Sequence, residues 1–538
     1  MAVSLPTHLT VLERSAALYK DTSAFQLPVI DPSGQVSNWT PVSYARFQLD
    51  VDDFARYWLR VLKADGVAPR SVVGLWLSGM TYTDVLHVYG LSRAGYIPQL
   101  FSVRLPNPKV VYELLGKAKA RALIYERTFK DILAGCPVPT HEALDYGSAV
   151  PTEEDLPLLH AGVRASDPVF IFHTSGSTSG SPKLVPCSFT WLASAIKKCE
   201  HIMTPIKASE KRDVTIWMGS ISHIGQSFML LGAMQHGTCT IQPSKIAFDA
   251  DELSLMVNKC GLNRLNQFAT FLATNLVVAR SNPKVAAIMQ SFDEVLYSGL
   301  PLAVEEEKWA YQNGVRLRNL FGSTEIGAML RSVGDGDRRL EPLPGTCYEF
   351  RPLPAPSASE SGAQASTAQL LELIILSNSP DCPDPTLRSS QDGHFHTGDL
   401  FIENKGKYVS MGRNDDWIKS ENSLRCDTKA IQDNVLETCD NLVRDCVVVG
   451  QGRPSPVLFV EATEMGARMG ERLKREILRR TRAFHSRRYL HERIVDSRMI
   501  VIVENGSLPR TATKGNIQRQ KTEEMYKQEL DTIFRASP

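Results

Sequence analysis

The sequence lacks the features that mark several common classes of protein. Its ten cysteines include no CxxC pair, so they predict neither a zinc site nor a dense disulfide framework, and we interpret them as reduced, mostly buried thiols. The start of the chain has no basic segment followed by an apolar one, and the most apolar later stretch, 216–234, is interrupted by Ser220, Ser222, His223 and Gln226. We therefore predict a soluble, cytoplasmic protein that does not span a membrane.

The chain also has no excess of charge of either sign. Its 538 residues contain 60 Lys and Arg against 59 Asp and Glu, which gives a formal net charge of +1. Proteins that bind nucleic acid or an anionic membrane surface usually carry a clear basic excess. We therefore expect neither as a partner, and a chain of this length is expected to form two or more domains.

Short apolar runs alternate with helical patterns from residue 40 to about residue 300. The segment from Ser43 to Asp65 is amphipathic with helical spacing. This alternation predicts a large, doubly wound α/β domain with a mainly parallel sheet. The predicted strands are VVGLWL (72–77), ALIYE (122–126), VFIFH (169–173), VTIWM (214–218), TCTIQ (238–242) and DEVLYSG (293–299).

The pattern changes after residue 340. Residues 352–369 are too poor in large apolar side chains to fold alone, which predicts a mobile surface loop. A boundary at Asp415 then divides a large domain, 1–414, from a smaller α+β domain, 415–538. Beyond the loop, the predicted elements are a strand LLELIIL (370–376), a hairpin turn at ENKGK, strands VVVG (447–450), LFVEA (458–462) and RMIVIV (498–503), and a long basic helix before the last strand.

A loop rich in glycine and hydroxyl residues, HTSGSTSGSPKLV (173–185), follows the apolar strand VFIFH. Glycines let backbone N–H groups approach phosphate oxygens, hydroxyls add donors, and Lys183 supplies a positive charge. The composition predicts a cradle for a triphosphate, and the alternative is a flexible polar linker. The GxxxxGK[ST] phosphate loop is absent here, because Pro182 precedes Lys183 and neither Ser nor Thr follows it.

Further motifs follow this loop in order along the chain: NLFGSTEIG (319–327), HTGDL (396–400), GRNDDWIK (412–419) and LPRTATKGNIQR (508–519). The set resembles the adenylate-forming (ANL) superfamily of acyl-CoA synthetases, luciferases and peptide-synthetase adenylation domains, and it spans nearly the whole chain. DDWIK with NSLRCDTKAI (422–431) is similar to the adenylation domain of fungal carboxylic acid reductases, which resemble non-ribosomal peptide synthetases. The resemblance implies that the smaller domain is a mobile lid with its hinge at Asp415.

The resemblance also implies a site for ATP and Mg²⁺. Glu325 would bind Mg²⁺ through a hard carboxylate oxygen, and Thr324 would contact the α-phosphate. Asp399 would accept hydrogen bonds from the ribose hydroxyls, with help from Arg413 of the Gly412–Arg413 pair. Taken singly, these residues are equally typical of turns and helix starts. The other implied nucleotide-binding residues are Thr174, Ser175, Gly176, Ser177, Thr178 and Lys183 for the phosphates, and Asn319, Leu320 and Phe321 for adenine.

His223, in GSISHIGQSF, lies where the family has a residue between the nucleotide and the acyl pocket. A single histidine in an apolar stretch is more typical of a core or loop side chain, but the resemblance implies contact with AMP or the substrate carboxylate. ISHIGQSF offers no acid to pair with a substrate ammonium, so we predict an aryl or aliphatic acid without an α-amino group. The other implied pocket residues are Ile224, Gln226, Ser227, the stretch NQFAT (266–270), Ser298, Gly299 and Leu300.

Lys514 is the lysine that the resemblance places against the acyl and phosphate oxygens during adenylation. A mobile lid that carries one lysine stabilises the pentacovalent α-phosphorus only when it is closed, and then leaves so that a thiol can enter. The implied catalytic set is Lys514, His223, Thr324 and Glu325, which would form acyl-AMP and pyrophosphate before thiolysis. Without the preceding LPRT, a solvated surface lysine is the more typical interpretation.

The residues after Arg519 contain neither a glycine-rich dinucleotide fingerprint nor a phosphopantetheine-serine motif. We therefore predict transfer of the acyl group to the phosphopantetheine of an acyl carrier (thiolation) domain, and later reduction by a reductase domain, both outside this chain. One alternative is a free-standing acid:CoA ligase. Another is a non-catalytic acyl or nucleotide sensor, which the order Lys514–Gly515 suggests because the family usually has Gly-Lys there.

The stretch 467–493 holds ten basic and three acidic residues at helical spacing. A solvated helix face is the favoured interpretation, because Leu473 and Ile477 can form an apolar stripe behind the charges. The sharper hypothesis is a docking surface for an acidic carrier domain or for the phosphate of its pantetheine arm. It predicts that charge reversal at Arg479, Arg480 and Arg482 slows acyl transfer.

Overall fold

The structure is a computed structural model that describes residues 5–103, 105, 107–148, 154–159, 162–174, 183–207, 211–299, 301–353, 369–413, 417–419, 425–486, 492–510 and 517–535. The described chain forms two compact units. The first contains the described residues of Met1–Thr174, Ser181–Tyr348 and Ile375–Phe395, and the second those of Glu349–Ile374 and His396–Pro538.

The first unit alternates strands and helices, as the sequence predicted. Its helices are α1 (His8–Leu18), α2 (Tyr44–Ala64), α3 (Tyr82–Arg93), α4 (Pro108–Lys117), α5 (Phe189–Ile202), α6 (Ile224–Gln235), α7 (Ala250–Leu255), α8 (Ala269–Ser281), α9 (Pro283–Ser291) and α10 (Val304–Gln312). Its strands are β1 (Ser23–Ile30), β2 (Val36–Ser43), β3 (Val72–Leu77), β4 (Ile97–Ser102), β5 (Ala122–Tyr125), β6 (Thr140–Glu142), β7 (Pro168–Thr174), β8 (Lys183–Ser188), β9 (Val214–Ile216), β10 (Cys239–Ile241), β11 (Arg264–Phe268), β12 (Glu294–Ser298), β13 (Leu317–Ser323), β14 (Gly327–Gly334) and β15 (Asp337–Pro342).

Strand pairing within the first unit combines parallel interiors with antiparallel margins. Among the described residues, the strand orders are β2-β1-β10-β9, β6-β5-β3-β4-β7-β8 and β11-β12-β13-β14-β15. Neighbours from β6 to β7 are parallel, whereas β8 pairs antiparallel with β7 and β2 pairs antiparallel with β1. The predicted α/β class is confirmed, but the antiparallel margins were not predicted.

Helix α2 illustrates why the predicted helices form. The Ser43 hydroxyl accepts a hydrogen bond from the backbone N–H of Arg46 and so caps the first turn. Phe47, Phe54 and Trp58 recur on one face of the helix and are completely or almost completely buried. The predicted amphipathic segment therefore packs its apolar face into the main core of the unit.

His87 of α3 is a buried, neutral imidazole in that core. Its Nδ1 accepts a hydrogen bond from Trp58 Nε1 at 3.0 Å, and its Nε2 lies 3.2 Å from the carbonyl oxygen of Leu144. This arrangement fits the tautomer with its proton on Nε2. Burial lowers the pKa of His87 from 6.5 to about 4. A second proton therefore binds far more readily in the unfolded chain than in the folded one.

Lowering the pH from 7 to 5 is expected to remove about 2 kcal/mol of unfolding free energy through His87 alone. Stability from the neutral imidazole is present above pH 6.5 and is lost as the pH falls towards 4, because only the unfolded state gains the proton in that interval. Urea denaturation at the two pH values measures the loss. The unfolding free energy of the His87→Gln variant should depend less on pH than that of the parent. An unchanged pH dependence in His87→Gln would contradict the assignment.

The second unit contains the predicted C-terminal elements. Its strands are β16 (Tyr348–Pro352), β17 (Leu370–Ile375), β18 (Phe395–Asn404), β19 (Lys407–Arg413), β20 (Trp417–Lys419), β21 (Arg425–Asp427), β22 (Val443–Val449), β23 (Val457–Ala462) and β24 (Ile500–Val503). One residue of each of β16, β17 and β18 belongs to the first unit. Its helices are α11 (Thr428–Thr438), α12 (Glu464–Met469), α13 (Arg472–Ser486), α14 (Arg519–Met525) and α15 (Lys527–Arg535). The hairpin at ENKGK and the basic helix, α13, are confirmed.

Two other predictions concern residues that lie mostly or entirely outside the described part of the chain. Most of the loop predicted at 352–369 and the predicted hinge at Asp415 lie outside the described residues, so both stay predictions, as does the division into 1–414 and 415–538.

The ten cysteines are free, and most of them are buried. None of the described helices has both the length and the apolar character needed to cross a bilayer.

Candidate active site

Three parallel strands of the first unit end at the same edge of their sheet. The register of β11, β12 and β13 places Phe268 beside Ser298, and Ser298 beside Leu320. Ligands of open α/β sheets bind outside the carboxyl ends of the strands. The fold therefore brings together the predicted pocket stretch 266–270, Ser298 and the predicted adenine shelf, which are far apart in the sequence.

Glycine backbone surrounds the ring of Phe268 at this edge. A Cβ atom built on Gly219, Gly225 or Gly299 would lie 2.7, 3.8 or 3.3 Å from an atom of the ring. His223 meets the same ring edge to face, with the ring centroids 5.2 Å apart. Because these glycines carry no side chains, no Cβ atom crowds the ring of Phe268 at these three positions.

His223 lies at the start of α6, immediately before Ile224. Its Nδ1 accepts a hydrogen bond from the backbone N–H of Gly225 at 3.1 Å, and its side chain is exposed. With Nδ1 as the acceptor, the neutral imidazole carries its proton on Nε2. The local structure therefore fixes a tautomer that can donate a hydrogen bond to an oxygen of a bound acid or nucleotide.

The next predicted pocket residues on α6 are engaged with the backbone. Oε1 of Gln226 accepts hydrogen bonds from the N–H groups of Met218 and Gly219 at 2.8 and 3.3 Å. Ser227 Oγ donates to the carbonyl oxygen of Ile221 at 2.8 Å, and Ile224 is buried. Gln226 and Ser227 therefore hold the loop before α6, including Gly219 beside Phe268, against the helix.

The predicted phosphate loop joins two antiparallel strands. Thr174 ends β7, Lys183 begins β8, and the two residues are register partners. Lys183 is exposed. The loop therefore starts and ends at one point on the sheet edge, unlike a phosphate loop that connects a strand to a helix. Its predicted phosphate-binding residues Ser175, Gly176, Ser177 and Thr178 lie outside the described residues.

His173, directly before that loop, is a supporting residue that the sequence reasoning missed. Its Nδ1 lies 2.9 Å from the carbonyl oxygen of Leu100, its Nε2 lies 3.1 Å from Gln99 Nε2, and its ring stacks on Phe101. Burial lowers the pKa of His173 to about 4, so the imidazole is neutral at pH 7. The strand that carries Thr174 is thus fixed to β4 by side-chain contacts as well as by its ladder.

The motif NLFGSTEIG forms the tight hairpin of β13 and β14. Gly322 pairs with Ala328, and a Cβ atom on Gly322 would lie 2.5 Å from the carbonyl oxygen of Gly327, so the close approach requires glycine. Asn319 N–H donates to Ser332 Oγ at 2.8 Å. Phe321, Thr324 and Glu325 are half-buried, and Leu320 is buried. Thr324 and Glu325 therefore lie in the turn at the tip of this hairpin.

Glu325 has the properties expected of a ligand for a hard cation. Its backbone oxygen accepts a hydrogen bond from Trp191 Nε1 at 3.1 Å, which fixes the turn. Within the described part of the chain, no cationic side chain lies within 4.0 Å of its carboxylate. A half-buried carboxylate without a cationic neighbour among the described residues fits Mg²⁺, which prefers oxygen ligands. The sequence reasoning missed Trp191, whose spacing in α5 matches the buried face of that helix.

The predicted ribose-binding residues lie on the β18–β19 hairpin of the second unit. Asp399 is a register partner of Arg413, the residue after Gly412, whose φ is +89°. The backbone N–H of Asp399 donates to Thr397 Oγ1 at 3.0 Å, and the side chain of Asp399 is largely buried. The register thus places positions 399 and 413 opposite each other, as a shared site for one ribose requires.

Three further predicted residues cannot be placed in this geometry. Leu300, Asp415 and Lys514 lie outside the described residues. Their predicted roles in the acyl pocket, the hinge and catalysis therefore stay predictions.

Two family descriptions match the chain. The description "AMP-binding enzyme" matches residues 12–355, and "AMP-binding enzyme C-terminal domain" matches residues 415–538. Together they extend over both units, and the first includes the hairpin with Thr324 and Glu325.

Curated proteins with similar sequences include one that matches almost from end to end. The AMP-binding domain-containing enzyme iboA of Amanita muscaria (strain Koide BX008) is 37% identical over 520 residues, which cover 94% of this chain and 98% of that protein. A second is CymA of Salinispora arenicola (strain CNS-205), described as a probable non-canonical nonribosomal peptide synthetase. It is 26% identical over 429 residues, which cover 76% of this chain but 5% of that protein.

Solved structures with the same fold include the o-succinylbenzoate CoA synthetase MenE of Bacillus subtilis. Its complex with an acyl-adenylate intermediate has a TM-score of 0.71 at 15% identity and covers 96% of this chain and 98% of that one. Its complex with ATP and magnesium has a TM-score of 0.70 at 16% identity, with 95% and 99% covered. At this identity the likeness establishes the fold.

Proposed function

Because the chain belongs to the family of AMP-binding enzymes, we propose that it activates a carboxylic acid with ATP. A carboxylate oxygen attacks the α-phosphorus, the bond from that phosphorus to the bridging oxygen of pyrophosphate breaks, and acyl-AMP and pyrophosphate result. The observation that carries this proposal is the register of Phe268, Ser298 and Leu320 at one sheet edge. In this register, two residues of the predicted acyl pocket lie in line with Leu320 of the predicted adenine shelf.

The proposed roles are those that the family resemblance implies for these residues. His223 donates from Nε2 to an oxygen of the acid or of AMP, since its Nδ1 is occupied by the N–H of Gly225. Thr324 contacts the α-phosphate and Glu325 holds Mg²⁺, which when bound neutralises charge on the phosphate oxygens. Asp399 binds the ribose hydroxyls. No step requires a nucleophile from the protein, because positioning and charge neutralisation supply the rate.

We propose that the acid is an aryl or other acid without an α-amino group. Phe268 and His223 offer an aromatic surface and a hydrogen-bond donor, and neither carries a negative charge. A buried substrate ammonium would need such a charge to offset its desolvation. An aromatic acid can instead pack its ring against Phe268 with an offset or edge-on geometry.

The acyl group is proposed to pass to the phosphopantetheine of a carrier domain outside this chain, as in the adenylation domain of a carboxylic acid reductase, with reduction by a further domain. The likeness to part of CymA supports such a modular context. The fold shared with a CoA synthetase keeps a free-standing acid:CoA ligase as the second candidate. A nucleotide sensor without turnover is the third.

Acid-dependent pyrophosphate release tests the proposed reaction. A panel of benzoic, cinnamic, short aliphatic, long aliphatic and amino acids should give release with one aryl or aliphatic class. Preference for an amino acid would overturn the substrate class but not the reaction. ATP binding without pyrophosphate release from any acid would favour the sensor.

The identity of the thiol acceptor is tested separately, with acyl-AMP that the enzyme forms in the same reaction mixture. Acyl transfer to a phosphopantetheinylated carrier, with little transfer to free CoA, would support the modular context. Efficient acyl-CoA formation would instead establish the free-standing ligase.

Helix α13 offers a basic face for such a carrier. Arg472, Arg475, Arg479 and Arg482 are exposed and recur at intervals of three or four residues. Arg480, which the sequence grouped with them, is tied to the unit: its guanidinium lies 3.1 Å from the carbonyl oxygen of Thr438 and 2.8 Å from Asn441 Oδ1. Charge reversal at Arg480 would therefore disturb the fold, so it is a poor probe of docking.

Reversing Arg479 and Arg482 to glutamate is expected to slow transfer to an acidic carrier by roughly tenfold at low salt and to leave pyrophosphate release unchanged. The cause is loss of charge complementarity during encounter, so the effect should shrink as salt is added. The matched control reverses Arg14 and Arg60, which are exposed on the first unit. If both double variants transfer at the rate of the parent, α13 is a solvated helix face only.

A further inference from the structure

A lysine is completely buried in the helix that packs beneath the Thr324–Glu325 turn. Lys198 of α5 is 1% exposed, whereas the adjacent Lys197 is exposed. Lys198 falls seven residues after Trp191, on the buried face of the same helix. Burying an ammonium costs free energy unless its N–H groups are hydrogen-bonded and its charge is paired. The partners of Lys198 therefore indicate which part of the structure it stabilises.

Every donor of that ammonium has an acceptor. Lys198 Nζ donates to the carbonyl oxygens of Ile326 and Ala328 at 3.1 and 2.5 Å and to Asp381 Oδ2 at 3.0 Å. Three acceptors match the three N–H bonds of the protonated form, while a neutral amine has one N–H fewer. Burial lowers the pKa of Lys198, and Asp381 opposes that shift. The pair is therefore best satisfied with both groups charged.

Asp381 is held as firmly as the lysine. Its Oδ1 accepts a hydrogen bond from Ser379 Oγ at 2.5 Å, and its Oδ2 also accepts one from the hydroxyl of Tyr348. The carboxylate is completely buried. The ion pair thus has a fixed position, because each end is oriented by further groups rather than by its partner alone.

Side chains of helix α5 donate hydrogen bonds to the backbone of the turn. Trp191 Nε1 donates to the carbonyl oxygen of Glu325, and Lys198 donates to those of Ile326 and Ala328. Between these carbonyls lies Gly327, with φ of +75°, where a Cβ atom would be 3.3 Å from Phe228. The backbone that follows Glu325 is therefore attached to one side of α5 at three carbonyls.

We propose that Lys198 is a positioning residue, whose ion pair with Asp381 holds the turn so that the Glu325 carboxylate is placed for the metal bound with ATP. Both members of the pair are completely buried, and the pair acts through the backbone of residues 325–328. The inference rests on the proposed function, because it assigns Glu325 to the metal. Loss of such a supporting contact typically weakens metal binding by about 10- to 100-fold.

The test uses Mn²⁺ in place of Mg²⁺, since both prefer oxygen ligands, and electron paramagnetic resonance to measure free Mn²⁺ in the presence of ATP. The variant Lys198→Met/Asp381→Asn removes both charges together and so avoids leaving one buried and unpaired. It should raise the dissociation constant for Mn²⁺ by about tenfold or more. The KM for the acid should change by less than about twofold, since the acyl pocket is built elsewhere. Lys197→Met, the neighbouring exposed lysine, is the control and should match the parent.

A second variant covers the case in which the double variant does not fold, as judged by its thermal unfolding. Trp191→Phe keeps an aromatic ring and removes the N–H that donates to the carbonyl oxygen of Glu325. It should weaken Mn²⁺ binding several-fold, which is the effect expected from the loss of one hydrogen bond. Folded variants that bind Mn²⁺ with ATP as tightly as the parent would overturn the inference. A parent that shows no ATP-dependent Mn²⁺ binding would overturn it too.

The two proposals can fail separately. If the parent releases no pyrophosphate with any acid, while its Mn²⁺ binding is intact and is lost in the variants, the adenylation proposal fails and the positioning role of Lys198 stands.

Discussion

Replacing Glu325 with glutamine is expected to lower acid-dependent pyrophosphate release by about 100-fold or more when Mg²⁺ does not saturate the parent. The carboxylate lies in the tip of the β13–β14 hairpin and has no cationic neighbour within 4.0 Å among the described residues. The amide keeps the size of the side chain but loses the charge that Mg²⁺ requires of a strong ligand. Initial rates measured over a range of Mg²⁺ concentrations check the prediction.

The control for Glu325→Gln is the same substitution at Glu305, an exposed residue of α10 whose side chain is 73% exposed. It should leave the rate and its Mg²⁺ dependence unchanged. If Glu325→Gln instead releases pyrophosphate at the rate of the parent at every Mg²⁺ concentration, Glu325 does not bind the metal. The inference on Lys198 would then lose its premise.

Replacing Lys514 with alanine is expected to lower the rate of acyl-AMP formation by about 100- to 1000-fold. Lys514 lies outside the described residues, so the prediction rests on the motif LPRTATKGN and on the charge that develops at the α-phosphorus. Transfer of the acyl group from acyl-AMP supplied ready-made should change much less, because the lysine is needed only in the first step. Single-turnover measurements of each step separate the two effects.

The matched control for Lys514→Ala is Lys521→Ala, which removes an exposed lysine of α14. A parent-like rate of adenylation in Lys514→Ala would mean that the order Lys514–Gly515 places the lysine out of reach. It would also give new weight to a sensor, if the parent itself proved inactive. Equal losses in both steps would show that the residue supports the fold of the lid rather than the reaction.

The local pattern of apolar residues was sufficient to predict most of the strands and helices in the described part of the chain. The run VVGLWL coincides with β3, and the predicted helix from Ser43 to Asp65 differs from α2 by a residue at each end. Periodic burial within one segment produces this signal, so it can be found without knowledge of any partner. The antiparallel partners β2 and β8 were missed because pairing direction depends on residues outside the segment.

The family resemblance also predicted which segments would form the candidate site. Phe268, Ser298 and Leu320 lie in three such segments and meet at one sheet edge. The sequence could not indicate that Gly219 and Gly225 would leave room around Phe268, because they belong to a loop and helix that reach the ring only in the folded chain. Nor could it show that Oε1 of Gln226 accepts hydrogen bonds from the backbone N–H groups of Met218 and Gly219.

The sequence by itself determined the fold class, the family and the positions of the motifs, because these depend on residue type and on spacing along the chain. Only the tertiary structure decided which side chains hold those motifs in place. Lys197 and Lys198 are adjacent and chemically identical, yet one is exposed and the other pairs with Asp381, 183 residues away. Helical spacing places Lys198 on the buried face, but the acceptors that stabilise its charge come together only when distant segments pack.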